Sequence, residues 1–278
     1  MVWIQLFLEV LLQIKTLFTL PLGICLFSTA VLFGDLVDQV GDNDTSRQNW
    51  NDTGADWSDG LPASSGNDYA SKGHILRTTM GVSSVFAGTT LTMGAGSQLQ
   101  LRQGDGNTAT VSDLTLNGGS VIAQTSAGIV NLAGDSLTVS GGTADFRIDD
   151  KRGVNLRFSE LIGDGILEFD RAVNGADITD NSVNFLDAGA FTGTFSVKFG
   201  DLNFLSQGTG DFSKARLEVN NSTFATGSIT LSRAVAFDSF KFSESPTDLA
   251  PGVYDVGELN RFSGEESFFG SGTLTVVP

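Results

Sequence analysis

The sequence predicts an all-β chain wound as a right-handed parallel β-helix, and three observations predict it. First, LTMGAGSQLQL from Leu91, LTLNGGSVIA from Leu114 and LTVSGGTADFRI from Leu137 repeat at a spacing of 23 residues. Thr92, Thr115 and Thr138 share that spacing, as do Gly96, Gly119 and Gly142, followed in register by Ser97, Ser120 and Thr143. Second, each repeat alternates apolar and polar residues with the period of two of a β-strand, with no helical period inside it. Third, 34 glycines but only 5 prolines suit many short strands joined by tight bends, and a fixed period in the low twenties is a solenoid signature.

Each repeat divides into three strands. Leu91 and Met93 flank Thr92, so two apolar side chains point inward and a β-branched polar one outward; Leu114 with Leu116 and Leu137 with Val139 repeat this. The following glycine permits a positive φ or a close backbone approach at a corner. A second strand carries Leu99 and Leu101, or Phe146 and Ile148, and a third covers Thr108 to Val111 and Ile129 to Leu132. Stacked coils would repeat every ~4.8 Å through hydrogen bonds along the axis.

Beyond Ile148 the register is lost, but short alternating strands continue in LIGDGILEF from Leu161, FTGTFSVKFGDLNF from Phe191 and ARLEVNNSTFATGSITL from Ala215. Phe185, Phe191, Phe195, Phe199 and Phe204 form an aromatic stripe suited to filling a solenoid interior. A β-sandwich is the alternative reading of such a pattern. The expected organisation is a signal peptide over 1–34, a linker and aromatic capping segment over 35–84, the solenoid over 85–242 and a closing segment over 243–278. In that closing segment, Val253 and Tyr254 are expected to cover the last coil.

From Met1 to Phe33 the chain is mostly apolar, broken mainly by Glu9, Gln13 and Lys15. The run Leu17–Phe27 after Lys15, then Ser28-Thr29-Ala30, has the form of an export signal with cleavage after Ala30 or Gly34; an uncleaved membrane anchor is the rival reading. The only cysteine, Cys25, lies inside this segment, so a processed chain would have neither thiol nor disulfide. The formal charge of −16 repels phosphate backbones and anionic lipid, which argues against nucleic acid as a partner.

Several stretches resemble exported Gram-negative proteins that carry a PEP-CTERM sorting signal and autotransporter-associated β-strand repeats. NWNDTGADWSDGLPASSGNDY, with Trp50, Trp57, Pro62 and Tyr69, looks like the segment that opens their mature region. ILRTT from Ile75 and FAGTTLTM from Phe86 look like the entry to the first coils, and FTGTFSVKFGDLNF resembles the β-strand repeat. APGVYDVGELNRF and GSGTLTVVP resemble the stretch before the sorting signal. The chain departs from the pattern at Pro278, where such proteins continue with a second proline, a membrane span and a basic cluster; either the anchor is lacking or the sequence is truncated before it. The resemblance implies a structural role at the cell surface or with extracellular polysaccharide or other envelope proteins. Contact with membrane is expected only through the N-terminal signal or such a C-terminal anchor.

Candidate chemistry is sparse. His74 is the only histidine, which rules out a two-histidine metal site or mechanism, and no Gly-x-Ser-x-Gly elbow surrounds a serine. Gly104-Asp105-Gly106-Asn107 and Gly163-Asp164-Gly165 read as turns rather than calcium loops. No metal and no cofactor are expected. Trp50, Trp57 and Tyr69 are candidates for stacking on sugar rings, or else for sealing the first coil. Arg147, Asp149, Asp150, Lys151 and Arg152, with Arg157 nearby, form a charged cluster that would serve a calcium-dependent polysaccharide lyase if it converged in one groove, and is otherwise a solvated bend. The expected function is that of an exported, non-enzymatic structural or adhesive protein, with a carbohydrate-binding module as the alternative and a lyase behind it.

Overall fold

The computed structural model describes residues 34–43, 49–52, 56–124, 128–148, 153–170, 180–222, 225–243, 245, 247–264 and 266–278. The apolar segment 1–33, Cys25 and Asp149–Arg152 lie outside the described residues.

The repeat read from the sequence is the register of the fold. Leu91 pairs with Leu114, and Leu114 with Leu137, in parallel strands, and the ladder extends to Tyr69 on one side and Leu161 on the other. These strands form a first face. A second face stacks Ile75–Arg77, Gln98–Leu101, Ser120–Ala123, Thr143–Ile148, Ile166–Phe169, Thr194–Val197, Phe212–Val219 and Val235–Phe242, all parallel. A third face stacks Ala109 on Leu132, Leu156, Val183, Phe204 and Leu231 in turn. The long strands Val130–Ser140, Val154–Gly163 and Asp180–Phe191 run through the corner from third face to first without leaving the sheet. The chain is a parallel β-solenoid, and the sandwich alternative falls, because a sandwich packs antiparallel sheets whereas these are parallel from coil to coil.

Alternation decides which side chains enter the core. Leu91, Met93, Leu114, Leu116, Leu137 and Val139 are fully buried, while Thr92, Thr115 and Thr138 lie on the outer side of the same strands. Each such aliphatic side chain contributes about 1.5–3 kcal/mol of apolar burial, offset largely by the entropy of ordering the chain. The two uses expected of corner glycine both occur. Gly96 has φ of 77°; at Gly119 a Cβ would sit 2.7 Å from the Met93 carbonyl oxygen and Cβ, so the corner closes only without a side chain.

The solenoid is longer than the segment 85–242 expected for it. Asp68–Ser71 and Ile75–Arg77 already belong to the coils, and Leu36–Asp38 pairs parallel with Asp68–Ser71. The capping segment is therefore part of the stack as well as its cover. At the far end, the chain leaves the coil after Phe242 and then returns. Phe268–Gly270 extends the third face on Ala225–Leu231, and Thr273–Val276 pairs parallel with Val235–Phe242. Gly252–Asp255 pairs antiparallel with Thr273–Val276 and ends that ladder. Tyr254 packs against the core here, but Val253 is 65 % exposed and covers nothing, which corrects half of the expectation for that pair.

Between these strands lies a helix, Val256–Ser263, which the β pattern does not reveal. Asp255 caps it: its carboxylate accepts from the Glu258 backbone N–H (2.8 Å), and Glu258 accepts in return from the Asp255 N–H (3.0 Å). Gly264, left-handed at φ 75°, stops it, and Leu259 anchors it in the core.

Candidate functional site

The aromatic residues singled out as sugar platforms have no ring face to offer. Trp50 and Tyr69 are completely buried and Trp57 is 3 % exposed. The three gather around Phe86, with Trp57 edge-on to Tyr69 at 4.7 Å and Tyr69 edge-on to Phe86 at 5.3 Å. Trp57 Nε1 donates to the Trp50 carbonyl, the Trp50 backbone N–H to the Arg77 carbonyl, and the Ser64 N–H to the Tyr69 hydroxyl. The rings fill the first coils, as a cap would, and the sugar-stacking expectation is corrected by their burial.

The charged cluster does not converge. Arg147 projects from the second face and pairs with Asp145 on its own strand, whereas Arg157 stands on the third face, in register with Ala133 and Asn184. Two basic groups on different faces cannot serve one proton abstraction, so the lyase geometry fails for these two. On the second face Asp145 is in register with Glu168, and Lys198 pairs with Glu168 at 2.7 Å. Burial pushes the Asp145 carboxyl above its ordinary value, opposed by Arg147. The hydrogen bond to Glu168 raises the Lys198 ammonium. His74 faces Asp42 at 3.3 Å, and its carbonyl, not its ring, takes the Ser71 hydroxyl. Among the described residues no group of three or more His, Cys, Asp or Glu side chains is placed to hold a metal ion.

What the sequence reading missed is a polar cleft of about 490 Å³ on the third face, lined by Asn155, Arg157, Asn181, Ser182, Asp201 and Asn203, with Ile129, Leu205 and Gln207 at its rim. It is built by register. Asn131, Asn155, Ser182, Asn203 and Thr230 occupy the same outward position in successive coils. Asn155 lies 2.7 Å from Ser182 Oγ and 2.7 Å from both Nε and Nη2 of Arg157. A guanidinium only donates, so the amide oxygen of Asn155 faces it and Nδ2 donates to Ser182. Asp201 accepts from Thr230 Oγ1 (2.9 Å) and Ser228 Oγ (3.2 Å), and Asn203 accepts from Ser232 Oγ (2.9 Å). Asn181, only 1 % exposed, accepts from the Val154 N–H through Oδ1, while its Nδ2 finds no partner. The signal was present as Val-Asn-Leu at 130–132 and again at 154–156, one coil apart.

A second groove, of about 530 Å³, runs between the last coil and the closing segment, against Phe240, Phe242, Tyr254 and Phe262. It is bridged by the Arg216–Asp248 ion pair at 2.9 Å and by the Leu249 N–H donating to the Phe240 carbonyl.

Fold and surface together define the chain as a parallel β-solenoid protein with polar ladders on its outer faces. No family model, no curated protein and no solved structure matches it.

Proposed function

We propose that this is an exported, non-enzymatic structural or adhesive protein that works at the cell surface or in the extracellular matrix of a Gram-negative bacterium. The observation that carries the reading is a solenoid whose two ends are both occupied by non-repeating segments: the aromatic box with Leu36–Asp38 at one end, and Gly252–Asp255 with its helix at the other. Bare strand edges recruit further strands. Covering them leaves the sides of the stack as the surface for contact, and these carry Thr, Ser, Asn and Asp in repeating columns. The apolar segment ahead of Asp35, with Ser28-Thr29-Ala30 at its end, supports export.

Expression of the full chain with a C-terminal tag in a Gram-negative host tests this. The mature N-terminus is expected at Val31 or Asp35, with the tag outside the inner membrane and accessible to added protease once the outer membrane is opened. An unprocessed chain in the cytosolic fraction would contradict the reading.

A further inference from the structure

We propose that the polar cleft of the third face binds a neutral glycan strand lying along the stacking axis. This is independent of the export reading, since it rests on the cleft alone.

Four observations lead there. The first is Asn181, a lining residue on the core side of its strand, in register with Leu202, 1 % exposed and with Nδ2 unpartnered. A buried donor without an acceptor is costly to leave unpaired, and a ligand hydroxyl that reached it would supply the acceptor. The second is the balance of polar groups. Arg157 only donates, the Asp201 carboxylate only accepts, and the amides of Asn155 and Asn203 do both. Sugar hydroxyls, each donor and acceptor at once, match such a mixture. A peptide would need side-chain pockets, and the only apolar lining is Ile129 and Leu205, enough to meet the C–H face of one sugar ring.

The third is spacing. Asn155, Ser182 and Asn203 stand one coil apart in register, so equivalent polar groups recur every ~4.8 Å, comparable to the length of one pyranose unit. A polymer of repeating units can meet such a ladder with the same contact on each coil. The fourth is charge. With a formal charge of −16, the chain disfavours approach of a polyanion, which selects neutral glycans over uronate polymers.

The test is calorimetric titration of the full-length protein with cellohexaose, laminarihexaose, maltohexaose and mannohexaose, with a hexagalacturonate as the charged arm. At least one neutral hexasaccharide is expected to bind. Arg157→Ala should weaken it about tenfold or more, the scale of one lost charge-assisted hydrogen bond, and Gln207→Ala at the exposed rim should weaken it about threefold. Gln100→Ala on the second face should leave binding unchanged, and the melting temperature of Gln207→Ala should match that of the parent. The proposal is overturned if no neutral hexasaccharide binds, if hexagalacturonate binds more tightly than all of them, or if Arg157→Ala and Gln207→Ala bind as the parent does.

Discussion

The coils from Thr90 to Ser140 and those from Val183 to Phe242 are the same solenoid built by two strategies. In the first, equivalent first-face residues fall 23 apart (Leu91, Leu114, Leu137), and the interior is filled by Leu, Val and Met. In the second, the third-face ladder steps from Val183 to Phe204 and then to Leu231, intervals of 21 and 27, and the interior is a web of phenylalanine rings. Phe195 alone meets Phe191, Phe204, Phe212 and Phe237 at centroid distances of 5.2 to 5.9 Å, edge to face. Aliphatic coils interlock only when each layer presents the same outline to the next, which holds loop lengths constant. Large rings in tilted pairs fill an irregular section, and the connections between strands then vary.

The difference can be tested from its largest expected effect downward. Phe195→Ala should cost about 3–5 kcal/mol in chemical denaturation, because four neighbouring rings lose their partner and cannot all close the gap. Leu114→Ala in the regular half should cost about 2–5 kcal/mol, and less than Phe195→Ala, because its cavity is smaller. Equal losses would mean that the ring web is no more than another aliphatic layer.

Corners come next. Gly119→Ala must displace the Met93 backbone, whose carbonyl oxygen would lie 2.7 Å from the new Cβ, so a loss of about 1–3 kcal/mol is expected. Gly189→Ala in the irregular half meets nothing nearer than Asp187 Oδ1 at 3.5 Å and should be neutral or stabilising by about 0.4–1 kcal/mol. Melting curves of the two variants check that contrast between the two sites rather than between the halves. The irregular half has its own tight corner at Gly227, where a Cβ would run into the Val197 carbonyl oxygen.

The smallest effect concerns pH. Burial raises the Asp145 carboxyl above 3.8, so the folded state holds its proton more firmly than the unfolded state does. Ionisation of Asp145 then works against folding at pH values above the folded pKa, and that penalty is relieved as pH falls through the folded pKa toward 3.8. Asp145→Asn should therefore melt higher than the parent at neutral pH, with the gap narrowing in acid. A lower melting temperature at pH 7 would show that the Arg147 pair outweighs the burial.

This contrast also explains what was legible in the sequence. Leu91, Leu114 and Leu137 revealed the register because their coils have equal length. Val-Asn-Leu at 130–132 and 154–156 falls 24 apart, and its continuation at Ser182 follows Asn155 by 27; unequal steps hide a column from any fixed period, and the cleft with it. Trp50, Trp57 and Tyr69 were visible as a group, but composition does not say whether an aromatic face points inward, and here the rings pack on Phe86. The helix at Val256–Ser263 had its signal in Asp255 and Glu258, a capping box of only two residues set among strand-like neighbours.

The central claim is that one parallel stack continues through the irregular half, and cysteine cross-linking on the second face tests it most directly. Thr194 registers with Arg216, and Arg216 with Ser239, so Thr194 and Ser239 stand two coils apart. In a Cys25→Ser background, Thr194→Cys with Arg216→Cys should form a disulfide readily, since adjacent parallel strands bring Cα atoms to ~4.8 Å, within disulfide reach. Thr194→Cys with Ser239→Cys should not, being about twice as far apart. Cross-linking of the second pair in preference to the first would contradict the stack.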